Sequence, residues 1–242
     1  MTSAPDLSGK TALVTGASRG IGRVVALGLA KAGAHVLALA RTPGALEELD
    51  DEIRAAGGAA SLIPLDLAEG NNIETLAEAL AGRFEKLDIL VANAALLGEL
   101  SPLTDIDPKI WKQVLDVNLT ANWRLIRALD PLMRKSADAR AFFLTSRVGG
   151  EQARPYWGAY GISKAALEHL AETYALENEQ SSISVGVIDP GAMRTGMRAS
   201  AMPGEDPQTL PSPDELTPMV YEALAAPPGP FKRWVFREWS GS

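Results

Sequence analysis

The sequence predicts a doubly wound α/β fold with a parallel sheet at its centre, and three observations carry that prediction. Apolar runs of strand length alternate with longer helix-like runs along nearly the whole chain, the pattern that parallel strands joined by crossover helices require. The first apolar run ends in a glycine-rich turn, from Gly16 through Gly20 to Gly22, that leads straight into a helical run. A later helical run opens with Tyr160 and Lys164, whose spacing puts both side chains on one face.

Composition narrows the class further. With 242 residues, 46% of them hydrophobic and 22% charged, the chain suits one domain over 1–242 with a single sizeable core. Its 23 Lys and Arg against 30 Asp and Glu give a net charge of −7, and neither sign gathers into a long run, which argues against a nucleic-acid partner. There is no cysteine, and the two histidines, His35 and His169, are scattered, so neither disulfides nor a metal site is expected. Residues 1–10 lack the pattern of a signal peptide, and no uncharged apolar run reaches membrane-spanning length. The expectation is a soluble, cytoplasmic protein with no membrane partner.

Residues 11–15 read as a buried strand. The turn after it and a helix expected up to residue 32 place backbone N–H groups and the positive end of the helix dipole where a pyrophosphate sits. Gly16 permits the sharp turn, Gly20 lets the backbone approach the ligand, and Gly22 lets helix and strand pack closely. A second strand at 34–40 runs into a helix opened by Arg41, Thr42 and Pro43 and continuing to 56. Chains that select NAD place an acid at the end of this strand for the ribose 2′-hydroxyl. Here Ala40 and Arg41 stand instead, and Arg41 with Arg19 suits a 2′-phosphate. NADP(H) is therefore favoured over NAD(H); the alternative is two solvated surface arginines.

A third strand at 59–65 is followed by Asp66, Leu67 and a helix at 72–84, and a fourth at 87–92 by Asn93, Ala94 and Ala95. In an open parallel sheet the C-terminal strand ends form the ligand crevice. Asp66 is thus a candidate acceptor for an adenine amino group and Asn93 a brace for the turn beside the cofactor, with a helix cap and a turn former as the plainer readings. Residues 110–133 read as helical, with the poor helix former Asn118 in the middle. Such an Asn holds a local break in helical bonding, fixes a water, or is a satisfied structural residue. A fifth strand at 141–145 delivers the Ser146 hydroxyl to the crevice, fourteen residues before Tyr160.

The helix at 157–179 carries Tyr160 and Lys164. At roughly 5 Å and an effective dielectric of about 20, an ammonium attracts a phenolate by about 3 kcal/mol, which would hold the phenol well below its ordinary range. Chance helical spacing is the alternative. A sixth strand at 183–188 leaves through Asp189, Pro190 and Gly191 to Thr195, and residues 196–213 contain Pro, Gly and Met with little periodicity, as a mobile lid does, with a plain surface connection as the alternative. A helix at 213–226 and a strand at 233–236 complete the sheet.

Taken together, TGASRGIG at 15–22, Asp66, NAA at 93–95, Asn118, Ser146, YGISK at 160–164 and PGAMRT at 190–195 resemble, in order and spacing, the single-domain short-chain dehydrogenase/reductase family. The resemblance covers nearly the whole chain. It implies a Rossmann-type doubly wound fold with a seven-stranded, mostly parallel sheet in the order 3-2-1-4-5-6-7 and helices on both faces. It also implies hydride transfer between NADP(H) and a carbonyl or alcohol substrate, with Tyr160 as acid/base and Lys164 lowering its pKa and bonding the nicotinamide ribose. Ser146 would polarise the carbonyl, and Asn118 would anchor a water in the proton relay. By the same resemblance Ser18, Ile21, Leu67 and Ala94 join Gly16, Arg19, Gly20, Gly22, Arg41, Asp66 and Asn93 around the cofactor. Thr195 bonds the carboxamide, Pro190 and Gly191 shape that end of the pocket, and the chain forms a homodimer or homotetramer through the helices carrying Asn118 and Tyr160.

Three positions depart from the family pattern. The interval from Ser146 to Tyr160 is one residue longer than usual, with the extra residue expected between Gly149 and Tyr156. Arg147 stands beside the substrate oxygen, either turned outwards or binding an acidic substrate, and Ala95 replaces a common glycine. Tyr156, Met193, Met197 and Met202 are the expected pocket wall, suited to hydrophobic carbonyl compounds, with Arg147 or Arg194 able to meet a carboxylate. A catalytically silent NADP(H)-sensing or scaffold protein of the same fold is the alternative, disfavoured by the intact set of Asn118, Ser146, Tyr160 and Lys164. An epimerase or dehydratase with tightly held NAD is disfavoured by Ala40 and Arg41.

Overall fold

A strand with helices on both sides must be apolar on both faces, and the central strands of this chain are. In the computed structural model, which describes residues 4–69 and 71–240, the strands are β1 (Thr11–Thr15), β2 (His35–Ala40), β3 (Ala59–Pro64), β4 (Ile89–Ala92), β5 (Ala139–Leu144), β6 (Ile183–Asp189) and β7 (Lys232–Val235). They form one sheet in the order 3-2-1-4-5-6-7, and all six pairings are parallel. Residues 1–3, 70 and 241–242, included in the one-domain expectation, lie outside the described residues.

The helices are α1 (Gly20–Lys31), α2 (Pro43–Ala55), α3 (Asn71–Arg83), α4 (Pro108–Leu115), α5 (Ala121–Met133), α6 (Arg147–Gly150), α7 (Gly158–Glu177), α8 (Gly196–Ala201), α9 (Thr217–Ala225) and α10 (Phe236–Trp239). Because strand side chains alternate in direction, the sheet supports two cores. Ala12, Val14, Val36, Ala38, Val91 and Leu144 pack under Val25 and Leu29 of α1, Leu46 and Ile53 of α2, and Val220 of α9. Leu13, Leu37, Leu90, Phe143 and Val187 pack under Leu76 of α3, Leu125 and Leu129 of α5, and Leu167 of α7.

Three expected elements are corrected. The helix expected at 110–133 is α4 and α5 joined by a π-helical turn, Asp116–Thr120, with Asn118 inside it, so helical bonding is broken locally at this residue. The segment 196–213 is not without structure: Thr195 caps α8 by accepting from the Arg198 N–H, and a 3-10 turn follows at Pro207–Thr209. A helix of six residues is too short to show a period. The helix expected from residue 213 begins as a 3-10 turn, Pro213–Leu216, behind the capping box of Ser212 and Glu215, before α9 takes over.

Phe143 is fully buried beneath α5 and α7. Phe143→Ala is expected to lower the unfolding free energy by about 3–5 kcal/mol, read from urea denaturation; a loss below about 1 kcal/mol would contradict the packing.

Candidate active site

The site lies along the C-terminal strand ends, where the sheet order reverses between β1 and β4 and opens a crevice. Gly16 and Gly20 take left-handed backbone, φ +66° and +56°, which admits glycine without strain. A Cβ on Gly22 would lie 2.3 Å from the Gly16 carbonyl oxygen and 2.4 Å from Asn93 Nδ2, whereas one on Gly20 would meet only the Thr195 side chain at 3.5 Å. The turn is therefore closed on its sheet side and open towards the crevice. α1 has no side-chain cap at Arg19 and no acid in its first turn, so its first N–H groups have no side-chain acceptor of their own. Asn93 Nδ2 donates to the carbonyls of Thr15 at 2.9 Å and Gly16 at 3.3 Å, fastening the turn after β4 to the turn after β1.

A cleft of about 500 Å³ runs along this edge. It is lined by every cofactor residue expected from the sequence except Gly22, buried in the turn, and Gly191, which lines an adjoining cavity. Ala95 also lines the cleft. Arg41 Nη1 lies 3.8 Å from Asp66 Oδ2, both largely exposed, a pair too hydrated to hold the arginine firmly. Asp66 Oδ1 accepts from the Ala68 N–H at 3.0 Å, so it caps its own turn while facing the cleft.

The adjoining cavity, about 460 Å³, shares Ile21, Thr145, Tyr160, Pro190, Thr195 and Met197 with the cleft. Tyr160 stands at the junction. Ser146, Arg147, Met193 and Met197 line the cavity as expected, but Tyr156 and Met202 do not; Tyr156 is 59% exposed, with φ +73°. Val235, Phe236, Arg237 and Ser240 complete the wall. The sequence showed no motif there; the only available signal was that the end of β7 must open on the same crevice.

Tyr160 and Lys164 sit one turn apart on α7, 8% and 2% exposed. The Trp157 and Tyr160 rings pack edge to face with their centroids 5.9 Å apart. Ser146 caps α6 by accepting from the Val148 N–H at 3.4 Å, and its hydroxyl favours the ionised phenol. Against the lowered pKa expected from the sequence, burial pushes the phenol up to about 12, with the Asp189 carboxylate acting in the same direction. Burial likewise pushes the Lys164 amine down to about 8. Nζ lies 5.8 Å from the Tyr160 ring centroid and donates to the Leu144 carbonyl at 2.6 Å. Desolvation of both groups outweighs an attraction that the sequence reading placed in a more polar medium.

Asn118 is fully buried. Its Nδ2 donates to the Leu96 carbonyl and the Ser163 hydroxyl, each at 2.9 Å, its Oδ1 accepts from the Leu96 N–H at 2.7 Å, and its own carbonyl accepts from Asn122 Nδ2 at 2.8 Å. The residue thus ties the segment after β4 to α7. Both hydrogens of its Nδ2 are engaged within the protein.

A charge cluster supports the site from β7. Arg233 reaches Asp189 at 2.9 Å, Glu151 at 2.6 Å and Glu168 at 3.4 Å, and Thr145 donates to Glu168. Sequence reasoning missed these residues, although Glu168, four places after Lys164, was legible as a neighbour on the same helix face. Of the arginines expected to meet a carboxylate, Arg147 turns to Glu151 at 3.2 Å and Arg194 donates to Gln208 at 3.0 Å, outside the cavity lining.

Residues 10–206 match a family model described as short chain dehydrogenase. The oxidoreductase YciK of Escherichia coli K12 is 39% identical over 216 residues, covering 88% of this chain and 85% of that protein. A solved short chain dehydrogenase from Salmonella enterica serovar Typhi is similar at a TM-score of 0.93 and 35% identity, covering 98% of this chain and 99% of that one. Another from Shigella flexneri, complexed with NADP, gives 0.91 and 35%, covering 97% and 100%.

The depressed Lys164 amine makes stability depend on pH. Between about 8 in the folded chain and the ordinary 10.5, the unfolded chain binds more protons, so this group's contribution rises with pH. The unfolding free energy of the wild type minus that of Lys164→Met is expected to rise by about 3 kcal/mol from pH 7 to pH 10.5, measured by urea denaturation. A flat difference would show that the amine keeps its proton.

Proposed function

The chain belongs to the short-chain dehydrogenase/reductase family, and on that footing we propose that it is an NADP(H)-dependent oxidoreductase interconverting a carbonyl compound and its alcohol. The observation that carries the reading is a buried phenol, Tyr160, at the junction of two cavities with the Ser146 hydroxyl beside it. NADP(H), when bound in the longer cleft, supplies or accepts the hydride. The open glycine turn and the uncapped start of α1 fit a pyrophosphate, Arg19 and Arg41 fit a 2′-phosphate, and the 35% identical Shigella flexneri structure carries NADP.

Tyr160, held up to about 12, is protonated throughout the neutral range, which suits a proton donor in carbonyl reduction. Ser146 stabilises the charge that grows on the substrate oxygen. Lys164 holds the inner end of the site through the Leu144 carbonyl, and Asn118 is a positioning residue. Thr195, Pro190 and Gly191 close the end shared by the two cavities, and the segment 196–213 serves as the lid, bringing Met197, Arg198, Ala201 and Pro211 to the substrate side. One cofactor-binding domain over 1–242, a cytoplasmic setting and a homodimer or homotetramer belong to the same proposal. Trp123, Ile162 and Leu176, apolar and exposed on α5 and α7, support the assembly.

Purified protein with NADPH and a panel of ketones, aldehydes and quinones is expected to oxidise the cofactor, followed by nicotinamide absorbance. Tyr160→Phe should lower kcat by about 10²–10⁴-fold while still binding NADPH; equal turnover by that variant would sink the mechanism. NADPH binding without turnover of any carbonyl would instead favour a sensor. Arg41→Ala should weaken NADPH about tenfold or more and leave NADH nearly unchanged in a binding titration. Equal effects would remove Arg41 from the site.

A further inference from the structure

Four arginines line the cavity beside Tyr160: Arg147, Arg154, Arg198 and Arg237. Three are answered by carboxylates, Arg147 and Arg237 by Glu151 at 3.2 and 3.6 Å, and Arg198 by a two-point pair with Glu205 at 2.5 and 2.6 Å. Arg154 has no acidic partner among the described residues. Adding Arg233, which shares Glu151, and the other acids it binds, Asp189 and Glu168, five guanidinium groups stand against four carboxylates. That local excess of guanidinium over carboxylate occurs in a chain whose net charge is −7.

The turn bearing Arg154 is fixed relative to the phenol. The Arg154 carbonyl accepts the Trp157 N–H at 3.3 Å, and Trp157 is held on one side by a bridge to Ser101 and on the other by its ring contact with Tyr160. Tyr156, between them, is in the left-handed region at φ +73°, a conformation that persists for such a residue only where its surroundings impose it. Leu97, Val148, Trp157, Met193 and Phe236 supply apolar wall to the same cavity. Arg154, which lines the cavity, is exposed to solvent.

We propose that this cavity takes an oxo acid: a carbonyl presented to Tyr160, an apolar chain or ring along Trp157, Met193 and Phe236, and a carboxylate at the far end paired with Arg154. A single guanidinium and a single unanswered charge match a monoanion, which a guanidinium binds through two parallel hydrogen bonds. The inference rests on the reductase reading above. Hydride from NADPH adds to the carbonyl carbon, the C=O π pair moves to oxygen, and that oxygen takes the Tyr160 proton. The products are the hydroxy acid and NADP⁺, the carboxylate is untouched, and the phenolate regains a proton from solvent.

The test uses levulinate, 7-oxooctanoate and 5-oxo-5-phenylpentanoate, each beside its methyl ester, with NADPH and wild-type, Arg154→Gln and Arg154→Lys proteins. The acids should show at least about tenfold lower KM than their esters in the wild type. Arg154→Gln should abolish that advantage with kcat and ester KM nearly unchanged, and Arg154→Lys should restore part of it. Equal KM for acid and ester in the wild type, or an equal loss on both in Arg154→Gln, overturns the proposal. Tyr160-dependent turnover of esters with no preference for acids would sink the oxo acid while leaving the reductase standing. Calorimetric titration of acids and esters into the NADPH-saturated protein tests the pairing independently of turnover. Acid binding lost in Arg154→Gln supports the pairing, and no acid binding by the wild type overturns it.

Discussion

Tyr160 and Lys164 are buried on one face of α7, and the chain must satisfy a phenol and an amine that water scarcely reaches. Much of the surrounding structure answers that demand. The amine takes the Leu144 carbonyl at the end of β5, so the strand that delivers Ser146 also holds Lys164. Glu168, one turn further along α7, favours the charged amine and accepts from Thr145. Gly149 lets α6 approach α7, since a Cβ there would lie 2.5 Å from that of Lys164. Without such partners a buried amine would be a large cost to folding; with them its charge becomes a matter of pH.

The acids that gather around this pair need a counter-charge, and it comes from the last strand. Arg233 on β7 meets Asp189, Glu168 and Glu151, tying the chain's final strand to the end of β6, to α7 and to the loop after α6. Asp189 is itself 2% exposed and raises the phenol's pKa. The order of the sheet therefore matters electrostatically as well as topologically. Only because β7 lies beside β6 does an arginine so late in the chain reach carboxylates under the site.

The two cavities divide the work by origin in the chain. The longer cleft is walled mostly by the turns after β1 to β4, where the glycine turn is locked by Asn93. The shorter cavity draws on the segments after β5, β6 and β7: the turn bearing Arg154, the Thr195-capped α8, and Val235 and Phe236. Of the arginines that line it, Arg154 is exposed and has no acidic partner among the described residues, which makes it the point in this cavity where charge can select a ligand.

The strand and helix series, the glycine turn, Asn93, Ser146 and the Tyr160–Lys164 pair were legible in the sequence because each rests on short-range rules: period, backbone freedom and the pitch of a helix. A break at Asn118 was one of the readings the sequence left open, since a poor helix former stood in an apolar helical run. Tertiary structure decided what those residues do. The sign of the Tyr160 shift came from desolvation, which depends on everything packed around α7 and has no local signature. Arg147, adjacent in sequence to Ser146, is drawn off by Glu151, whereas Arg154 and Phe236, distant in sequence, line the cavity. Sequence spacing fixes which side chains share a helix face or a strand end. Burial and ion pairing are set by contacts between residues far apart in the chain, and only the folded sheet brings those together.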